Sequence, residues 1–217
     1  MDVKHHWLEP DLPPGVTHRL VLVRHGQPVE SARGRCYGTS NVELSELGKA
    51  QISDTAHAFA FLRVTAMYSS SSRRALDSAR ILSHVFGAEV VVESGFAEIA
   101  FGHLEGMTYD EIAESHPEVF RLWMSCPTEV EFPGGESYRA LRVRVLAAVR
   151  SIRERHPGIC VVVVAHGGVI RTILSDALGM PDSRLFCVDH SYAGVSVIDY
   201  FGDVPVVRCV NWCPPPD

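Results

Sequence analysis

Two stretches, far apart in the chain, end in the same way. Leu20-Val21-Leu22-Val23 runs into Arg24-His25-Gly26, and Val161-Val162-Val163-Val164-Ala165 runs into His166-Gly167-Gly168. Imidazole can act as nucleophile or proton carrier near neutral pH, and a guanidinium forks onto two oxygens of an anion. A serine run, residues 69–72, leads to Arg73-Arg74 and adds further cations. Two imidazoles and two guanidinium groups gathered on one rim repel one another unless an anion lies between them. A phosphate dianion suits that place, because its bonds to arginine are bidentate and charge-assisted. Phosphoryl transfer asks a protein mainly for positioning and for stabilising charge on three equatorial oxygens. A neutral imidazole can also attack phosphorus itself, and water then cleaves the phosphoramidate.

Those side chains reach one rim only if the elements before them are parallel strands. Apolar runs without polar alternation suit strands buried on both faces, and in such sheets ligands bind outside the carboxyl ends. Glycine after each histidine is expected to let a ligand approach the backbone. Strands are expected at 19–24, Val64–Ser69, Ala88–Val92, Ile159–Ala165, 194–199 and 204–210, alternating with helices. The first helix continues from Leu44 to Phe61 with Ser45 as N-cap; the second covers Arg74–Phe86, buries Ala75, Ala79 and Leu82, and stops at Gly87. Another runs from beyond Pro133-Gly134-Gly135 to about His156, with an apolar stripe of Leu141, Val145, Val149 and Ile152. Its arginines 139, 142, 144, 150, 153 and 155 read as a solvated face. A further helix covers 168–178.

This alternation predicts an α/β fold, a three-layer α/β/α sandwich with a mostly parallel central sheet. The irregular stretch 95–135, with short helical pieces near 108–114 and 118–124, is long enough to form a small cap over the carboxyl strand ends. The expected organisation is an irregular arm at 1–18, a single domain at 19–210 and a tail at 211–217.

The remaining composition excludes several classes. The chain has 217 residues, 46% of them hydrophobic and 21% charged, enough for one well-cored domain. A net charge of −6 argues against a nucleic-acid surface. No apolar run reaches the length of a membrane span, and MDVKHHWLEPDLPP lacks the apolar stretch of a signal peptide. Six dilute cysteines make a disulfide scaffold unlike this chain and point to a reducing, cytoplasmic compartment; Cys209 and Cys213 alone are weak evidence for a metal. His5 and His6 read as an unstructured pair.

Five motifs, Arg24-His25-Gly26, Ser69…Arg74-Ala75, Glu98…Phe101-Gly102…Glu105-Gly106, Gly135-Glu136-Ser137 and Ala165-His166-Gly167, occur in this order. Together they resemble the histidine phosphatase superfamily, the phosphoglycerate-mutase-like proteins, over roughly residues 19–200. The resemblance implies that His25 accepts the phosphate and that Arg24, Arg74, His166 and Gly167 hold it. It also implies that Glu98 protonates the leaving group, making His25, Glu98 and His166 the catalytic set. The family uses no metal and no cofactor. A proton donor is needed because an alkoxide leaves slowly at neutral pH. Arg24 and Arg74 are expected to keep His25 neutral in the empty site, with its tautomer set by a backbone partner on Nδ1.

Around this core, Gln27, Ser31, Tyr37, His103 and Glu105 are expected near the substrate or behind the groups that touch it. Arg73 is expected to face solvent, Glu105 to structure a loop, and Glu136 to sit early in its helix, where the dipole favours it. His103, Leu104, Trp123 and Met124 are candidates for selecting the alcohol. The sequence departs from the family pattern at Pro28, Ser31 and Leu104, where threonine, asparagine and tryptophan are common. Arg35-Cys36-Tyr37-Gly38 and Phe132-Pro133-Gly134-Gly135-Glu136-Ser137 resemble the small phosphatases of the group that includes α-ribazole phosphatase.

Arg121 is the one Lys or Arg in the stretch 95–135, which favours water over a second phosphate site as acceptor. The expected function is a metal-independent phosphomonoesterase acting on a small phosphorylated metabolite. Its partners are expected to include no nucleic acid and no membrane, and a homodimer is left open. The alternatives are a phosphoglycerate-type mutase and a silent protein that binds phosphate ligands without turnover.

Overall fold

The computed structural model describes residues 8–214, so the His5-His6 pair lies outside the described residues. Strands β1 (His18–Arg24), β2 (Val64–Ser69), β3 (Val90–Val92), β4 (Cys160–Ala165), β5 (Val195–Phe201) and β6 (Val204–Trp212) form one sheet in the order β3-β2-β4-β1-β5-β6. β2 pairs in parallel with β3 and β4, and β4 in parallel with β1. β5 runs antiparallel to both its neighbours. The sheet is thus mixed but mostly parallel, and β1 and β4 carry helices on both faces.

Alternate residues of the strands enter two separate cores, as the period of a strand requires. Leu20, Leu22, Val161 and Val163 pack on one side with α5 (Tyr138–Arg155) and α6 (Gly167–Ala177). Val21, Val23, Val162 and Val164 pack on the other with α1 (Glu46–Ala58) and α2 (Arg73–Phe86). The missing polar alternation of these runs is therefore the direct result of burial on both faces. Ser45 caps α1 by accepting from Gly48 N at 3.0 Å, and Gly87 ends α2 in the left-handed region at φ 70°. No helix among the described residues is long and apolar enough to cross a membrane.

The two stretches expected to be irregular are both anchored to the rest of the fold. Residues 8–17 lack regular structure but are held down: Leu8 is buried, and Glu9 O accepts from Arg19 Nη1 at 2.6 Å. Arg19 in turn forms a buried, two-pronged ion pair with Asp199, at 2.7 and 3.1 Å. Within the stretch 95–135, α3 (Tyr109–Ser115) and α4 (Pro117–Ser125) pack against the main core through Ile112 and Trp123. A capping box at Thr108 and Glu111 starts α3, and Pro117 starts α4.

Candidate active site

Register explains why the polar groups meet. Arg24 lies beside Ala165 in the β1–β4 ladder, and Ser69 lies beside Val164 in the β2–β4 ladder. The chain leaves all three strands on the same rim, with His25 N bonded to Ala165 O at 3.0 Å and Ser70 N to Val164 O at 3.1 Å. β5 runs antiparallel to β1 and starts at that rim, so the loop before it also borders the site.

His25 is buried, and its Nδ1 donates to Gly26 O at 2.8 Å. That tautomer leaves Nε2 with its lone pair. Burial, reinforced by Arg74 and Arg24, holds the His25 pKa well below 6.5. Burial is thus the larger cause, with the arginines adding to it. His166, whose ring centroid is 5.2 Å away, is likewise held well below 6.5 by burial, then by Arg74, His25 and Arg24. Its Nε2 meets Ser70 Oγ at 2.8 Å and Ser72 Oγ at 3.3 Å. Both rings are therefore neutral at neutral pH.

The two arginines are fixed from behind. Arg74 donates to Ser40 O and Gly38 O, each at 2.8 Å, and its guanidinium lies 4.9 Å from the centre of the Tyr37 ring. Arg24 donates to His190 O and lies 4.2 Å from the centre of the Tyr192 ring. The hydroxyls of Tyr37 and Tyr192 are joined at 2.7 Å, linking the aromatic supports of both cations. Arg24 Nε, Arg74 Nε and His166 Nδ1 are buried without a hydrogen-bond partner among the described residues. The two guanidinium N–H groups are donors whatever the tautomer of His166; buried donors are rarely left so, and an oxyanion is the group that would satisfy them.

Glu98 borders the cleft, accepting from Ile99 N at 3.0 Å and from Gly168 N at 3.1 Å. Gly168 leaves room for it: a Cβ there would stand 2.4 Å from Glu98 Oε1. Gly26 has a different reason from the one expected. A Cβ on it would stand 2.2 Å from Gly48 O, so this glycine admits the start of α1, not a ligand. Gly167 borders the cleft and opens α6, whose N-terminal amides favour an anion. The cleft has a volume of about 350 Å³ and is bordered by Arg24, His25, Arg74 and Glu98 at its polar end.

Several expected residues stand elsewhere. Ser31 is exposed in a single turn, Glu30–Ala32, and borders a different cavity; the Pro28–Leu44 bridge and the Val29 N–Glu43 O bond lead this turn away from the cleft. Gln27 does not border the cleft either: its backbone is spent on Gln51 Oε1 and on Ser45, fixing the start of α1. His103 is exposed beside Gly134, and Leu104 is fully buried beneath it. Met124 is exposed on α4, whereas Trp123 is buried and borders the cleft. Arg73 faces outward to Glu43 and Asp77.

Glu105 accepts from Thr39 N at 2.8 Å, Ser40 Oγ at 2.6 Å and Phe101 N at 3.2 Å. It thereby holds the very carbonyl segment that anchors Arg74. Arg144 corrects the reading of α5 as a uniformly solvated arginine face. It pairs with Glu136 at 2.7 Å and donates to Ala97 O at 2.7 Å and Glu98 O at 3.2 Å, bracing the loop that carries Glu98. Glu136 is therefore an ion-pair partner as well as an early-helix carboxylate. Tyr192, Arg171 and His190 were not singled out from the sequence; the first two border the cleft and the third supplies the carbonyl for Arg24.

Residues 20–213 match the histidine phosphatase superfamily (branch 1). The chain is 34% identical over 180 residues to phosphoserine phosphatase 1 of Hydrogenobacter thermophilus, covering 83% of this chain and 85% of that protein. It is 37% identical over 157 residues to a metal-independent phosphoserine phosphatase of Arabidopsis thaliana, covering 71% and 66%. Among solved structures it is similar to mycobacterial glucosyl-3-phosphoglycerate phosphatase in complex with VO3, with a TM-score of 0.80, 27% identity, and coverage of 89% and 98%. The chain belongs to the histidine phosphatase superfamily, branch 1, and is a phosphatase of that kind.

Proposed function

We propose that this phosphatase hydrolyses a small organic phosphate monoester, without metal, through a phosphohistidine on His25. The observation that carries the reading is the tautomer of His25: Nδ1 is committed to Gly26 O, so Nε2 is the free base, in a cleft bordered by Arg24, Arg74 and Glu98. The ester's phosphoryl group lies between Arg24, Arg74 and His166, where two buried guanidinium donors and one imidazole nitrogen stand unpaired among the described residues. His25 Nε2 attacks phosphorus in line, the P–O bond to the alcohol breaks, and charge collects on the equatorial oxygens held by the guanidinium groups. Glu98, in its acid form, gives its proton to the departing oxygen, and the alcohol leaves. The Glu98 carboxylate then takes a proton from water, whose oxygen attacks phosphorus. The P–N bond breaks, and inorganic phosphate departs from a neutral His25.

Water is the acceptor in this reading because the cap contributes no cation to the cleft. Its one arginine, Arg121, is exposed and paired with Glu118 at 2.9 Å, and it does not border the cleft.

The test is inorganic phosphate release from a panel of esters in EDTA, comparing wild type with His25→Ala. The panel holds p-nitrophenyl phosphate, phosphoserine, phosphoglycerates, sugar phosphates and α-ribazole phosphate. Wild type is expected to release phosphate, and the variant to lose at least about a thousandfold in kcat, the scale seen for a missing nucleophile. Acid quenching should trap an acid-labile phosphoryl group on the peptide containing His25. Equal release by both proteins would overturn the reading. Transfer between phosphoglycerate positions without net release would mark a mutase, and tight phosphate binding without turnover a silent binder.

A further inference from the structure

Beyond the phosphoryl group, the cleft is built of rings. Phe101, Tyr109, Trp123 and Phe132 border it from the cap, and Phe186 and Tyr192 border it from outside that segment. The cap rings support one another: Trp123 lies 5.4 Å from Phe101 and from Tyr109, and 5.2 Å from Phe132. Such a wall is rigid and offers apolar area to a planar or bulky group. Charge along the cleft is unbalanced. Arg24, Arg35, Arg74 and Arg171 border it, whereas Glu98 is the one carboxylate among the described residues that does so, and it is tied to two backbone amides.

Arg171 is the cation left over. Arg24 and Arg74 belong to the phosphate, and Arg35 is turned to Gly106 O and Glu111 at the surface. Arg171 is anchored through Nε to Val188 O at 2.8 Å and through Nη2 to the exposed Asp189 at 3.2 Å. Its Nη1 stands 3.1 Å from where a Cβ on Gly167 would be, with the Arg24 guanidinium 3.5 Å from that same point. The second cation therefore lies immediately beside the phosphate clamp, with one N–H edge toward the cleft.

We propose that the preferred leaving group is an alcohol with an apolar, ring-sized body and one carboxylate near the ester, read by Arg171. A zwitterionic amino-acid alcohol is disfavoured, because its ammonium would stand beside Arg171 and a wall of rings, with Glu98 the one carboxylate among the described residues bordering the cleft to meet it. The inference rests on the phosphatase reading above and narrows it to a substrate class. It also separates this chain from its relatives named for phosphoserine.

The experiment compares kcat/KM for benzyl phosphate, 3-carboxybenzyl phosphate and O-phosphoserine, with wild type, His25→Ala, Arg171→Met and Arg171→Lys. All three leaving groups are primary alcohols, so leaving-group ability does not dominate the ranking as it would for phenols. Wild type is expected to prefer 3-carboxybenzyl over benzyl phosphate by about tenfold, and benzyl phosphate over phosphoserine by about tenfold or more, the range that single pocket contacts supply. Arg171→Met should bring the first ratio close to one through a raised KM, and Arg171→Lys should restore part of it. Preference for phosphoserine, with turnover still dependent on His25, would overturn this inference and leave the phosphatase reading intact. So would an Arg171→Met variant that lowers all three esters by one factor, since that marks a structural arginine. Hydrolysis of none of them, or hydrolysis independent of His25, would overturn the underlying reading and this inference with it.

Discussion

An imidazole attacks phosphorus only through an unprotonated nitrogen, and an alkoxide leaves only when something supplies its proton. His25 and Glu98 meet these two needs by different means: one is desolvated and locked by a carbonyl, the other is held at the edge of the cleft by two amides. Replacing Glu98 by Gln is expected to slow hydrolysis of alkyl phosphates by about a hundredfold or more, the usual scale of a lost general acid. With p-nitrophenyl phosphate, whose anion leaves unaided, the same variant should show a burst of nitrophenolate followed by slow turnover, seen by stopped flow. Gly168→Ala separates position from stability. Alanine in a helix gains up to about 1 kcal/mol over glycine, yet its methyl would press on Glu98 Oε1. The expected result is an unchanged or higher Tm with lower kcat on alkyl esters, and a parallel fall of both would count against it.

At the scale of elements, the site depends on a loop braced from a distance. Arg144, on α5, joins Glu136 to Gly95 O, Ala97 O and Glu98 O, so one side chain sets the position of the segment that carries the acid. The guanidinium and its carboxylate are mostly buried, at 26% and 18% side-chain exposure, so removing one partner leaves the other poorly solvated. Arg144→Met is expected to cost about 2–4 kcal/mol in urea unfolding. It should also lower kcat for alkyl esters more than it raises KM. A variant with normal kcat and reduced stability would make Arg144 a purely structural brace. Glu105 has the matching role on the other side, since the carbonyls of Gly38 and Ser40 that hold Arg74 lie in the segment it fixes.

For the whole molecule, burying imidazoles ties folding to pH. His25 and His166 are held well below 6.5, and His190, buried and bonded to Ser196, is brought down to about 4, by burial first and Arg24 second. Depressed folded values mean that the unfolded chain binds protons first as pH falls. The contribution to stability is therefore complete above pH 6.5 and is lost progressively below it, at about 1.4 kcal/mol per pH unit for each group until its folded value is reached. Urea midpoints measured from pH 7.5 to 4.5 should decline below 6.5. His190→Asn should make that decline shallower by about one such increment, and an identical slope would remove His190 from the account.

Much of this was readable before folding. The unalternated runs at 20–23 and 161–164 meant strands covered on both faces, and such strands carry Arg24-His25 and His166 to the same rim. Helix ends followed from local chemistry, as at Ser45 and Gly87. Glu98, by contrast, was reached through family resemblance, because nothing in its local pattern distinguishes it from Glu93 or Glu105. Tertiary structure alone decided the rest. Tyr192 and His190 reach the site because β5 enters the sheet antiparallel, a direction its residues do not encode locally. Arg144 looks like the other arginines of α5 until the 95–98 loop lies across it. Ser31 follows the nucleophile closely in sequence, yet pairing of residues 28 and 29 with 43 and 44 carries it outward. Strand burial and capping are written in short-range periodicity, whereas a side chain on a loop takes its role from whatever distant segment packs against it.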